Sequence, residues 1–268
     1  VTSTFSRTTA ADRFVVGHVA GVDRGPVTGD PVLLLNGLGL AAETWAHQIA
    51  ALVGQGRRVV AVDRRGHGRS PYRPVSRFTE LVDDVVAALD HLDLGPVDVC
   101  GLSMGGTEAV GLAAARPDRV RRLVLADTFV ALAPEVAHER MAGMRRLLAS
   151  HGMAGLAGAV VDGMLHVSPP PAERRALVDA FVDLGEYAFF QLMGVLYQTR
   201  LTAELAAVEV PTLVLAAEYD TRTPPASMRA LAETVRDGRL VELRGAGHFP
   251  HLERPDEFSA ALSDFLAG

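Results

Sequence analysis

The chain has no lysine: all 26 of its Lys-plus-Arg positions are arginine. That absence excludes Schiff-base chemistry on a lysine amine and any mechanism that needs a lysine as base. It has a single cysteine, Cys100, so no disulfide can form within the chain. Cys100 lies in an apolar run and reads as a buried structural thiol, not a nucleophile. No uninterrupted apolar run reaches the roughly 18 residues of a membrane-spanning helix, so no membrane partner is expected. The formal charge of -6 argues against nucleic acid and anionic lipid surfaces. No cationic-then-apolar signal segment stands in the opening residues, and the expectation is a soluble, cytoplasmic protein. No cluster of His, Cys and acidic residues has ligand spacing, so neither a metal nor an organic cofactor is expected.

Hydrophobic residues make up 49% of the 268, enough for a sizeable core. Short apolar runs recur: "PVLLLN" (31–36), "RRVVAVD" (57–63), "VDVCG" (97–101) and "RRLVLAD" (121–127). Such runs suit strands buried on both faces of a parallel sheet. Helical patterns lie between them, at about 43–56, 79–93 and 104–116. In the second, Leu81, Val82, Val85, Val86 and Leu89 form one apolar stripe, with Thr79 as its candidate N-cap. The alternation resumes late with a strand in 211–220, a helix over 224–235, a strand over 239–245 and a closing helix over 255–266. Residues 132–206 break the rhythm: they are rich in Ala, Met and Gly, helical in period, and punctuated by "PPP" at 169–171. The expectation is an α/β fold with a mostly parallel central sheet and helices on both faces. Residues 1–131 and 207–268 form its core, and 132–206 an inserted helical cap.

The stretch "VDVCGLSMGGTEAV" (97–110) places Ser103 between Gly101 and Gly105, where a buried strand gives way to a helix. Gly-x-Ser-x-Gly alone is a weak pattern; at a strand-to-helix turn it is a strong one. A turn this sharp strains the serine backbone and leaves no room for flanking side chains. It lifts the hydroxyl clear of the sheet and sets it at a helix N-terminus, whose free N–H groups favour developing negative charge.

A serine nucleophile needs a base. His248, in "RGAGHFPHLERP", follows a predicted strand and precedes the final helix. His251 reads as structural or at the rim, His67 as a loop brace in "DRRGHGRS", and His18 as part of an early strand. The base needs an orienting carboxylate. Asp220, in "LAAEYDTRTPP", stands in a loop at the C-terminal edge of the sheet, where active residues of open α/β sheets collect. Asp127, which also ends a strand, is the alternative, and Glu218 a weaker competitor. The order Ser103, Asp220, His248 is that of an α/β-hydrolase triad. Backbone N–H groups of Met104 and of Leu38, in the glycine-flanked loop "LLLNGLGL", are the candidate oxyanion hole.

These elements, "NGLG", "DRRGHGRS", "GLSMGG", "YDTRTPP" and "GAGHFPHLERPDEF", occur in order and resemble the α/β-hydrolase superfamily over nearly the whole chain. "GLSMGG", the Asn36-containing loop, Trp45 and the "TPP" after Asp220 look most like bacterial 3-oxoadipate enol-lactonases and related carboxylesterases. Where this chain has Gly37, those enol-lactonases have serine. The resemblance implies hydrolysis of a small-molecule ester or lactone through an acyl-Ser103 intermediate. The same triad also serves C–C bond hydrolysis, perhydrolysis, acyl transfer and cyclisation, and a non-catalytic ligand-binding member is a further alternative. The substrate pocket is expected between the sheet edge and the cap, with Gly37, Trp45, Phe129, Met193, Tyr197 and Phe249 as candidate contacts. Met141, Met144, Met164, Phe189 and Phe190 are further candidate lining, and Arg145 or Arg200 candidate partners for a substrate carboxylate.

Overall fold

The computed structural model describes residues 13–268. Residues 1–12 lie outside the described residues, and with them the opening of the 1–131 core and the reading of a start without a signal segment. In chain order the core begins with β1 (Arg13–Val16), β2 (Val19–Arg24), β3 (Pro31–Leu35), α1 (Ala46–Gly54), β4 (Arg58–Asp63), α2 (Thr79–His91), β5 (Val97–Leu102), α3 (Met104–Ala115) and β6 (Val120–Ala126). It resumes with β7 (Thr212–Ala217), α8 (Pro225–Thr234), β8 (Gly238–Leu243), α9 (Pro250–Glu253) and α10 (Pro255–Ala267). Between β6 and β7 stand α4 (Pro134–Asp162), α5 (Pro171–Leu184), α6 (Glu186–Gln198) and α7 (Thr202–Ala206).

The strands form one sheet in the order β1-β2-β4-β3-β5-β6-β7-β8. From β4 through β8 neighbouring strands are parallel; β1 and β2 pair antiparallel to each other, and β2 antiparallel to β4. Burial explains the apolar runs: every residue of β5 and β7 is buried, whereas β8, at the edge, carries exposed Arg239 and Glu242. Charged side chains there discourage pairing with another chain's strand. The β1–β2 hairpin is an addition to the sequence reading, and His18 lies in its turn, not in a strand.

The step from β3 to β4 runs one way across the sheet and the steps from β4 onward run the other. Right-handed crossovers therefore put α1 on one face and α2, α3 and α8 on the other. α10 returns to pack on α1, which completes a layer on each side. Thr79 does not cap α2. It is the first helical residue, and the Glu80 carboxylate accepts the N–H groups of Ser76 and Arg77 from the preceding turn.

The ends of the helical excursion meet where Ala131 bridges Arg200 and the Leu201 N–H donates to Val130 O at 2.8 Å. Beyond that neck α7 packs on α3. α4 breaks at Gly152, whose φ of 64° no helix accommodates, so its two halves lie at an angle. No helix among the described residues is long and apolar enough to cross a membrane.

Candidate active site

Ser103 has φ 53° and ψ -119°, a conformation that costs free energy for any residue with a Cβ. Its N–H donates to Ala126 O at 2.9 Å, so β6 holds the turn in place. The flanking glycines are required by contact. A Cβ on Gly101 would stand 2.3 Å from Gly105 O, and one on Gly105 2.2 Å from Leu35 O. The chain turns from β5 into α3 with its backbone against the next strand, and the Ser103 hydroxyl is left on the open side.

His248 Nε2 lies 2.9 Å from Ser103 Oγ, and His248 Nδ1 lies 2.7 Å from Asp220 Oδ2. With the ring proton on Nδ1 donated to Asp220, Nε2 is left free to accept the serine proton. Asp220 is buried and fully engaged: Thr223 Oγ1 donates to Oδ2 at 2.5 Å, and the Arg222 and Thr223 N–H groups donate to Oδ1. Burial would raise this carboxyl, but the charge and hydrogen bond of His248 and the other donors outweigh it and hold it at about 2.

Asp127 lies apart from this chain of bonds. Its Oδ1 accepts the Ala217 N–H at 2.8 Å, and it is fully buried. Burial, and then the neighbouring Asp220 carboxylate, push it well above the usual carboxylate range. Glu218 accepts from the Gly245 N–H at the exposed end of β8. His251 is also fully buried, not at the rim, and packs tilted against Trp45 with ring centroids 4.5 Å apart. Burial, then proximity to His248, lowers it to about 3, so it is neutral at physiological pH.

The loop carrying Leu38 is held from below. Arg64 donates to Asn36 O at 2.5 Å and to Gly37 O at 3.1 Å, and forks onto Glu108 with two bonds of 2.7 Å. Asn36 Nδ2 donates to Leu40 O and Val62 O. His67 Nε2 accepts the Gly39 N–H at 2.8 Å while its Nδ1–H donates to Arg65 O, which makes it the loop brace expected. Burial lowers His67 to about 3, so it keeps the neutral form this arrangement needs. Among the described residues no acceptor takes the Leu38 N–H, and Met104, first in α3, has no helix carbonyl to donate to. The Arg64–Glu108 pair was not singled out from sequence; two opposite charges 44 positions apart carry no local signal.

A narrow pocket, open to solvent on one side, lies over Ser103 and His248. Of the candidate contacts Phe129, Met193, Tyr197 and Phe249 line it, with Met144, Met164 and Phe189 from the wider set and Leu38 from the glycine-flanked loop. Trp45 and Gly37 are not on its wall. Trp45 is fully buried between His251 and Phe258, on the α9–α10 side, because the short 3-10 turn 42–45 points its indole into the core. A Cβ on Gly37 would lie 3.5 Å from Ser103 Cβ, and the Gly37 carbonyl is taken by Arg64. Met141 and Phe190 are also off the wall, and Arg145 lies over the Phe190 ring. Arg200 is engaged with the carbonyls of Tyr197 and Thr199. The arginines on the wall are Arg140, from α4, and Arg222, two residues after Asp220. Neither was picked out from sequence, although the position of Arg222 beside Asp220 was a usable signal.

The helical segment is tied to the histidine loop. His248 N–H donates to Met164 O at 2.6 Å. Glu253 accepts the N–H groups of His166 and Val167 on one oxygen and that of Gly247 on the other.

Residues 32–261 match the alpha/beta hydrolase family, to which the chain belongs. A protein named for carbamate hydrolysis, RutD of Variovorax paradoxus, is 33% identical over 91% of this chain and 94% of its own length. The 3-oxoadipate enol-lactonase 2 of Acinetobacter baylyi is 29% identical, over 87% of each chain. Among solved structures, the enol-lactonase from Burkholderia xenovorans LB400 superposes with a TM-score of 0.85 at 30% identity, over 96% of this chain and all of that one. The resemblance to enol-lactonases read from the motifs is therefore found at full length.

Proposed function

We propose that this protein is a serine hydrolase that cleaves a small carboxylic ester or lactone through an acyl-Ser103 intermediate. The observation that carries the reading is the continuous chain of short contacts, Ser103 Oγ to His248 Nε2 at 2.9 Å and His248 Nδ1 to Asp220 Oδ2 at 2.7 Å. Family membership and the esterase and lactonase names among its relatives support it.

In this mechanism His248 Nε2 takes the Ser103 proton as Oγ attacks the substrate carbonyl. The tetrahedral oxyanion is stabilised by the N–H groups of Leu38 and Met104, whose loop and helix are already in place and need no reorganisation. Asp220 holds the Nδ1–H tautomer and stabilises the imidazolium. His248 then protonates the departing oxygen, a free alcohol from an ester or a tethered hydroxyl or enol from a lactone. Water activated by His248 attacks the acyl-enzyme, the acyl–oxygen bond to Ser103 breaks, and the proton returns to the serine. Residues 132–206 act as the cap that shapes the acyl pocket. Asp127, whose acceptor already serves Ala217, is a brace between β6 and β7.

A fluorophosphonate probe should label the wild type covalently and leave Ser103→Ala unlabelled. Equal labelling of both proteins would remove Ser103 from the nucleophile's role.

A further inference from the structure

We infer that the substrate carries a carboxylate a few bonds from its reacting carbonyl, and that Arg222 and Arg140 receive it. This rests on the ester- or lactone-cleaving reading above and names the class of substrate for that site.

The pocket wall bears two guanidinium groups and no carboxylate; its other members are apolar apart from Ser103, Thr223, Tyr197 and His248. Elsewhere in this lysine-free chain, buried and half-buried arginines hold acids. Arg57 pairs with Asp98, Arg58 with Asp23, Arg64 with Glu108 and Arg65 with Asp84. Among the described residues, no acid lies within ion-pair distance of Arg140 or Arg222. The acid beside them, Asp220, has its oxygens taken by His248, Thr223 and the Arg222 backbone N–H.

The two arginines also stand close to each other. Arg140 Nη2 donates to the Arg222 carbonyl at 2.8 Å, which anchors the cap arginine to the loop of the triad acid. Burial pulls the Arg222 guanidinium down from its usual range; Tyr197 and Asp220 act against that shift and the charge of Arg140 adds to it, while the Arg140 side chain also bonds to Tyr197. Two like charges at an apolar wall disfavour each other, and an anion between them relieves both the desolvation and the repulsion. The planar guanidinium fork matches a carboxylate in shape as well as in charge. One arginine comes from the cap and the other from the core, so the anion would also bridge the two parts of the molecule.

The test compares three esters of similar length. Monomethyl glutarate has the carboxylate on the acyl side, 5-acetoxypentanoate has it on the alcohol side, and methyl hexanoate is neutral. The wild type should favour at least one carboxylate ester over the neutral one by about tenfold or more in kcat/KM, mainly through KM. In Arg222→Met that preference should fall to near unity, and in Arg140→Met it should shrink, with unchanged melting temperatures showing that both variants are folded. A wild type that treats the three alike, or an Arg222→Met protein that keeps the preference, overturns the inference. Should the folded wild type cleave none of them, the hydrolase reading fails by itself. The anion site is then read by calorimetry of glutarate on Ser103→Ala, alone and with Arg222→Met added. Weakening by about tenfold supports the site, and equal or absent binding overturns it.

Discussion

At the end of β5, backbone oxygens stand 2.3 and 2.2 Å from where Cβ atoms would lie on Gly101 and Gly105; around Gly194, in the middle of α6, nothing lies within 4 Å of that point. The same residue type does opposite things in the two regions. In the core it is demanded by chain crowding around a strained serine. In the cap it is a gap in a helix that any small side chain would fill. The polar groups divide in the same way. Beneath Ser103 they are locked into closed sets, Arg64 with Glu108 and two loop carbonyls, Asp220 with three donors and His248. In the cap, methionines and aromatics meet the pocket with few polar ties. What differs is tolerance: the candidate triad is over-determined, and the pocket wall above it is adjustable.

That division is sharpest at the candidate triad acid. Asp220→Asn keeps the packing but favours the wrong His248 tautomer, and ester turnover should fall by about 10⁴ at nearly constant melting temperature. Asp127→Asn preserves the acceptor for Ala217 and suits the left-handed φ of 41° at that position, so turnover should stay within about threefold of wild type. Steady-state kinetics on purified, folded variants decides between the two; the reverse pattern would move the acid to Asp127.

Next in size is the crowded glycine. Gly105→Ala drives a methyl into Leu35 O, a backbone atom with nowhere to retreat, and should cost about 3 kcal/mol in denaturant unfolding. Loss of less than about 1 kcal/mol would mean that the turn can open, and that its strain is not enforced by contact.

Met193 lines the pocket from α6. Met193→Ala should shift relative kcat/KM among acyl-chain lengths by about tenfold, longer chains gaining on shorter ones. A common slowing of all substrates would show that the cap acts on the chemistry, and the bonds from Met164 O to His248 and from Glu253 to Gly247 are the path by which it would. The smallest effect belongs to Gly194→Ala, expected to stabilise by about 0.5–1 kcal/mol through helix propensity alone. Destabilisation would mean that the gap beside α6 is needed.

The sequence by itself determined the alternation of strands and helices from β3 onward and the strand-to-helix turn at Ser103, and it singled out Ser103, Asp220 and His248 as candidates. Each is written in a few neighbouring positions: apolar runs of strand length, glycines at crowded bends, a histidine between the last strand and the last helix. Thr79, Trp45 and Gly37 went the other way. Thr79 has a capping residue's chemistry but is displaced by Glu80, one position on; Trp45 is an aromatic a few residues after the Leu38 loop that turns into the core; Gly37 contributes its carbonyl inward. Which face a side chain takes depends on what packs against it from elsewhere in the chain. For the same reason only the tertiary structure joined Arg64 to Glu108 across 44 positions and brought Arg140 of the cap to within 2.8 Å of the Arg222 carbonyl, 82 positions away. Local pattern encodes backbone geometry, whereas contacts between distant positions are settled only when the whole chain has packed.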